Sequence, residues 1–253
     1  MTRFDGKIVL VTGAATGIGR ATAEYLHENG ASVFGIGLDA DEGRRVHAGK
    51  APGLCFRETD LRESAAVDSA VTELMTTFGR LDAVINCAGI YATGKRLEAL
   101  SDAEWDLTMA VNLGAIFKVC RATLPLLRAS GGGAVVNIAS VHADATVTGV
   151  PAYAASKAAV VGLSRQLALD YAVDRIRVNA LLVGSVATRM TLDGLEAAGG
   201  AEALGLSFEN NRIARIADPR EIATAIGFLI SDEASFVTGS AMQVDGGLLA
   251  RLL

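Results

Sequence analysis

Tyr153 and Lys157 stand four residues apart in PAYAASKAAVVGLSRQLALDYA, a stretch of helical character. That spacing puts both side chains on one face of a helix. A phenol has an ordinary pKa of about 10 and is a poor base near neutrality. A nearby ammonium favours the phenolate, so the pair is a tunable proton donor and acceptor. The same spacing also occurs as an ordinary exposed pair. Ser140 lies thirteen residues earlier, at the predicted C-terminal end of the fifth strand. Open α/β sheets bind ligands at strand C-terminal ends, where a hydroxyl can hold a substrate oxygen. A turn or cap serine is the plainer alternative. Asn112 sits inside the apolar stretch MAVNLGAIF, where its amide needs partners, and a satisfied core asparagine answers that need too.

A second constellation opens the chain. LVTGAATGIGRATAEYL carries Gly13, Gly17 and Gly19 between an apolar run and an apolar-periodic stretch, with Thr16 and Ile18 among them. Glycine weakens helices and strands, so three in one turn need a reason. A tight strand-to-helix turn needs glycine backbone angles. A dinucleotide pyrophosphate needs backbone without a Cβ, and free N–H groups at a helix N-terminus. Glycine-rich turns without a ligand also exist, and the spacing differs from the commoner G-x-G-x-x-G.

These residues need a scaffold. Apolar runs at 7–11, 32–36, 53–56, 82–86, 134–140, 176–182 and 240–244 alternate with helical patterns near 18–29, 41–48, 63–78, 102–128, 151–172 and 219–231. The runs are continuous Val, Ile and Leu, as in strands covered on both faces. The order predicts one doubly wound α/β domain with a parallel sheet of about seven strands, over residues 1–253. The chain is 51% hydrophobic, with four prolines and a net charge of −5. Disorder is excluded, and nucleic acid or an anionic membrane surface is not the expected partner. Cys55, Cys87 and Cys120 lack CxxC spacing, and the histidines at 27, 47 and 142 are scattered, so no metal site is expected. No secretory leader and no membrane span are read, so a cytoplasmic location is expected.

TGAATGIG, NCAG at 86–89, SVHADATVTGVPAYAASK at 140–157, IRVNALLVG at 176–184 and VDGG at 244–247 together resemble the short-chain dehydrogenase/reductase family, in order, over about residues 5–247. The resemblance implies a Rossmann-type fold, a nicotinamide cofactor and hydride exchange with a secondary alcohol or its ketone. It implies an Asn112–Ser140–Tyr153–Lys157 tetrad. Tyr153 would take the hydroxyl proton, and Lys157 would lower the Tyr153 pKa and bind the nicotinamide ribose. Ser140 would hold the substrate oxygen, and Asn112 would keep a water in a proton relay behind Lys157.

The resemblance also implies cofactor contacts. Asp60 matches a carboxylate that accepts from the adenine amino group, with Leu61 beside it, although a cap for the helix near 63 is an equal reading. Asn86, Ala88 and Gly89 match the family's NNAG turn, with Cys87 replacing its second Asn. Gly184, Val186 and Thr188 fall on the nicotinamide side, where the family's usual PG is here VG. Gly37 stands where NAD enzymes of the family carry Asp. Asp39 can still reach the ribose hydroxyls and repel a phosphate, or simply cap the helix near 41. Arg44 and Arg45 are expected on the helix surface. NAD is the expected cofactor, with NADP as the alternative.

His142 and Tyr91 are the substrate-side candidates, and residues 188–208 the expected lid. A solvated loop histidine and a plain surface excursion are the bland alternatives. The lid lacks clustered positive charge, which favours a neutral alcohol, polyol, sugar or cyclic ketone. Helix 151–172 is apolar around much of its circumference, and related proteins pair such helices into homotetramers. The apolar terminus LLARLL, 248–253, is a further interface candidate. The rival readings are an NADPH-dependent 3-ketoacyl-type reductase and a cofactor-binding redox sensor or scaffold.

Overall fold

A computed structural model describes residues 3–47, 53–91, 94–197, 199–209 and 213–250. Residue 198 of the expected lid and residues 251–253 of the apolar terminus lie outside these.

Seven strands form one parallel sheet: β1 (Ile8–Thr12), β2 (Ser32–Gly37), β3 (Leu54–Glu58), β4 (Ala83–Asn86), β5 (Gly133–Ile138), β6 (Ile176–Val183) and β7 (Ala241–Val244). Their spatial order is β3-β2-β1-β4-β5-β6-β7. The order reverses between β1 and β4, and such a switch point opens a crevice at the strand C-terminal ends. The helices are α1 (Gly17–Glu28), α2 (Ala40–His47), α3 (Ser64–Phe78), α4 (Asp102–Met109), α5 (Ala115–Ala129), α6 (Pro151–Asp170), α7 (Arg189–Ala197) and α8 (Pro219–Ile230).

Both sheet faces are covered. On one, Val67 and Leu74 of α3, Val119 and Leu127 of α5 and Val160 of α6 pack on Leu10, Val84 and Val135. On the other, Ala23 and Leu26 of α1 and Ile222 and Ile226 of α8 pack on Val9, Val11, Ile85 and Val136. Burial on two faces is why these strands read as unbroken apolar runs. Arg177 of β6 spends its guanidinium on the carbonyls of Leu229 and Ser231, closing the end of α8.

Three expectations change in detail. The single helix expected over 102–128 is α4 and α5 joined by a π turn, Ala110–Gly114. This stretch is apolar and long enough to cross a membrane, but its apolar residues pack on the sheet and on α3 and α6 as a core element. Ser140 is not on β5, which stops at Ile138; it caps the short turn Val141–Ala143 instead. Asp60 does not cap α3, whose N-cap is Glu63; its carboxylate is taken by Arg62.

Candidate active site

Thr12, at the end of β1, reaches across the switch point. Its hydroxyl accepts the backbone N–H groups of Cys87 (2.9 Å) and Ala88 (3.0 Å), pinning the turn after β4 beside the glycine turn. At Gly17, φ is +54° and an added Cβ would stand 3.1 Å from Thr188 Cγ2. At Gly19 an added Cβ would overlap the Gly13 carbonyl oxygen. The bare backbone at the start of α1 is therefore a cradle with no room for side chains, which suits a pyrophosphate at a helix N-terminus.

This cradle floors a cleft that opens to solvent. Gly13 and Thr16 to Gly19 form one wall, and Ala88 to Ile90 the next. Ser140, Tyr153 and Lys157 face them, and Gly184, Val186 and Thr188 to Thr191 close the far side. The Thr188 carbonyl accepts the Leu192 N–H at 2.9 Å, so Thr188 starts α7 at the cleft edge.

α6 carries Tyr153 and Lys157 into this cleft. Pro151 sits in its first turn, where a missing N–H costs nothing. Lys157 is buried and donates to the Ile138 carbonyl at 2.8 Å, with Nζ 5.6 Å from the Tyr153 ring centre. Burial pulls the Lys157 pKa down to about 8. Burial pushes the Tyr153 phenol up to about 12, while a hydrogen bond with the Ser140 hydroxyl works the other way. Tyr153 is thus a neutral acid at neutral pH in this structure, and Ser140 is the group that eases its proton off.

Asn112 lies in the π turn and is fully buried. Its Oδ1 accepts from Ile90 N (2.8 Å), and its Nδ2 donates to Ile90 O (3.0 Å) and Ser156 Oγ (3.1 Å). The side chain holds the 89–91 turn against α6. A Cβ at Gly89 would lie 3.3 Å from Asn112 Oδ1 and 3.5 Å from Lys157 Nζ, so this turn runs directly over both.

Tyr91 and His142 flank the phenol. Tyr91 meets the Tyr153 ring edge-on at 4.6 Å, and His142 meets it at 5.5 Å. His142 Nδ1 pairs with Thr146 Oγ1 at 3.0 Å, and burial lowers its pKa, so the imidazole is neutral at neutral pH. The thiol of Cys87 lines the cleft, with burial raising its pKa to about 12, far from thiolate chemistry.

A second, charged compartment adjoins the cleft through Thr16, Gly17 and Arg189. Asp39, Asp41 and Glu42 line it together with Arg20 and Arg45. Asp39 accepts from the Glu42 N–H at 3.1 Å, so its cap role is real. Glu42 holds Arg20 at 2.9 Å and Arg45 at 3.7 Å, while Arg44 is exposed and paired with Asp41.

Three expected cofactor residues do not line either compartment. Asp60 is paired with Arg62, and Leu61 packs in the core beside Leu10 and Phe34. Asn86 is buried, with Nδ2 donating to Asn137 Oδ1 at 2.8 Å. Thr12, Ile138, Ser156 and the Arg20–Glu42 pair were missed from sequence. Thr12 alone had a signal, its place in the T-G-x-x-x-G run. Ile138 acts through its carbonyl, which no side chain announces. Among the described residues no three His, Cys, Asp or Glu side chains group to hold a metal ion.

A family model described as enoyl-(acyl carrier protein) reductase matches residues 13–249. The chain is 35% identical to 2-keto-3-deoxy-L-fuconate dehydrogenase of Xanthomonas campestris pv. campestris, over 97% of this chain and 81% of that protein. It is 36% identical to cyclopentanol dehydrogenase of Comamonas testosteroni, over 99% of this chain and 100% of that protein. A solved structure of levodione reductase superposes with a TM-score of 0.92 at 32% identity, over 99% of this chain and 100% of that one. With its switch-point cleft and glycine cradle, the chain belongs to the short-chain dehydrogenase/reductase family, enzymes that interconvert secondary alcohols and ketones with a nicotinamide cofactor.

Proposed function

We propose that this enzyme is an NAD-preferring dehydrogenase of neutral secondary alcohols, cyclic or polyol-like, with Tyr153 as its general acid and base. The observation that carries the reading is Tyr153 itself. Its phenol stands at the cleft that Ser140 also lines, with the Lys157 ammonium 5.6 Å from the ring centre and aromatic rings on two sides. The cofactor, when bound, supplies the hydride acceptor or donor. Ser140 orients the substrate oxygen and Tyr153 holds or removes its proton. Lys157, charged at neutral pH, favours the phenolate when Tyr153 gives up that proton. Asn112 fixes the turn that carries Tyr91. Tyr91 and His142 form an uncharged wall suited to a ring or carbon skeleton, in keeping with the cyclic alcohols named for the relatives.

The NAD preference rests on the charged compartment. Three carboxylates line it, and Glu42 holds Arg20 at 2.9 Å, so a 2′-phosphate would sit among carboxylates there. Assembly as a homotetramer through the helices at 102–129 and 151–170, and a cytoplasmic location, belong to the same reading. The matched family description favours one alternative, an NADPH-dependent acyl-type reductase. Titration with NADH and NADPH, followed by nicotinamide fluorescence, separates the two. NADH binds more tightly on this reading, and cyclic alcohols turn over with NAD. Tighter NADPH binding overturns the preference and brings the reductase forward.

A further inference from the structure

A pyrophosphate brings two negative charges into the cleft, and few cations stand ready for them. Among the described residues lining the main cleft, the cations are Lys157 and Arg189. Lys157 is buried at the catalytic end with its ammonium on the Ile138 carbonyl. In the adjoining compartment Glu42 holds Arg20 at 2.9 Å, and Arg45 stands 3.7 Å from the same carboxylate without lining the main cleft. Arg189 lines both spaces and stands at their junction beside Thr16 and Gly17. Its side chain is 90% exposed, and its approach to Asp193 is 3.7 Å, too long for a hydrogen bond. It opens α7, directly after Thr188, whose methyl group abuts Gly17. The start of α7 and the glycine turn are therefore in contact.

We propose that Arg189 binds the cofactor pyrophosphate from α7, supplying the cation that the glycine turn lacks. The proposal rests on the nicotinamide-cofactor reading above. A guanidinium suits a phosphate because it offers several N–H donors in one plane. The contact ties α7, the first part of the segment over the substrate side, to the occupied cofactor site.

The test is calorimetric titration of the free protein with NADH, NADPH and ADP-ribose, using wild type, Arg189→Ala, Arg189→Lys and Asp193→Asn. Arg189→Ala is expected to weaken all three ligands by about tenfold, the usual scale for a lost charge-assisted phosphate contact. Arg189→Lys recovers part of the loss. Asp193→Asn removes the same ion pair but keeps the cation, so it leaves affinity equal or higher. Unchanged affinity in Arg189→Ala overturns the proposal alone. A loss confined to NADPH overturns it in favour of a 2′-phosphate contact. An equal loss in Asp193→Asn overturns it in favour of a purely structural ion pair. A wild-type protein that binds none of the three overturns the nicotinamide reading as well.

Discussion

The two ends of the cleft are built on different physics. At the catalytic end the polar groups are buried and each is fixed by a partner within the core. Lys157 is held by the Ile138 carbonyl, Asn112 by both backbone groups of Ile90, and Ser140 by the His142 N–H. At the charged end Glu42 pairs with Arg20 and Arg45, and Asp41 with Arg44, all facing solvent, while Asp39 accepts the Glu42 N–H. Burial shifts proton affinities and makes any missing partner expensive. Exposed ion pairs contribute little and exchange readily. On the proposed reading the chemistry sits where residues resist change, and the choice of cofactor where residues tolerate it.

Substitutions at the two ends should differ in scale. The largest effect belongs to Tyr153→Phe, which removes the proposed proton carrier while keeping the ring. Turnover is expected to fall by about 10²–10⁴-fold, with NADH affinity changed far less. Steady-state rates alongside a fluorescence titration check it, and full retained turnover defeats the assignment.

Lys157→Met is next. Lys157 loses its proton near pH 8 in the fold, against 10.5 for an ordinary lysine. Between these values the unfolded chain binds more protons, so this group makes stability rise with pH. The stability of the Met variant relative to wild type should thus decline as pH goes from 7 to 10, by on the order of 2 kcal/mol. Urea midpoints at several pH values measure it. A difference that does not vary with pH would mean the ammonium is not perturbed.

The smallest effect belongs to Glu42→Gln. It removes one carboxylate and frees Arg20 and Arg45. The ratio of NADPH to NADH affinity should move toward NADPH by about two- to fivefold, the scale of an exposed pair. A shift as large as that from Tyr153→Phe would erase the contrast between the two ends.

Much of this was legible in the residues. The strands were readable because burial on both faces selects unbroken apolar runs, and all seven fall where those runs lie. Tyr153 and Lys157 were readable because helical spacing places side chains on one face. The contents of the turns were less so. Asp39 satisfies the cap reading by bonding the Glu42 N–H, and its type could not say whether it also reaches a ribose. Leu61 and Asn86 border the expected turns in sequence, yet both are buried in the core, Leu61 from the turn after β3 and Asn86 from the end of β4. The Ile138 carbonyl that holds Lys157 belongs to the backbone, which every residue shares.

The π turn at Ala110–Gly114 has a consequence for how this helix tolerates insertions and deletions. A π turn is an α-helix carrying one extra residue, and one residue is about 100° of rotation. The stretch from Asp102 to Ala129 therefore has two angular phases, with Asn112 at the junction. Loss of a single residue between 110 and 114 would restore a regular ladder and swing one half of the helix by more than a quarter turn. Val119, Leu124 and Leu127 would then leave the sheet, or Thr108 would leave its buried place. The helix behaves here like a message with a reading frame, in which a one-residue slip scrambles what a point substitution would only alter.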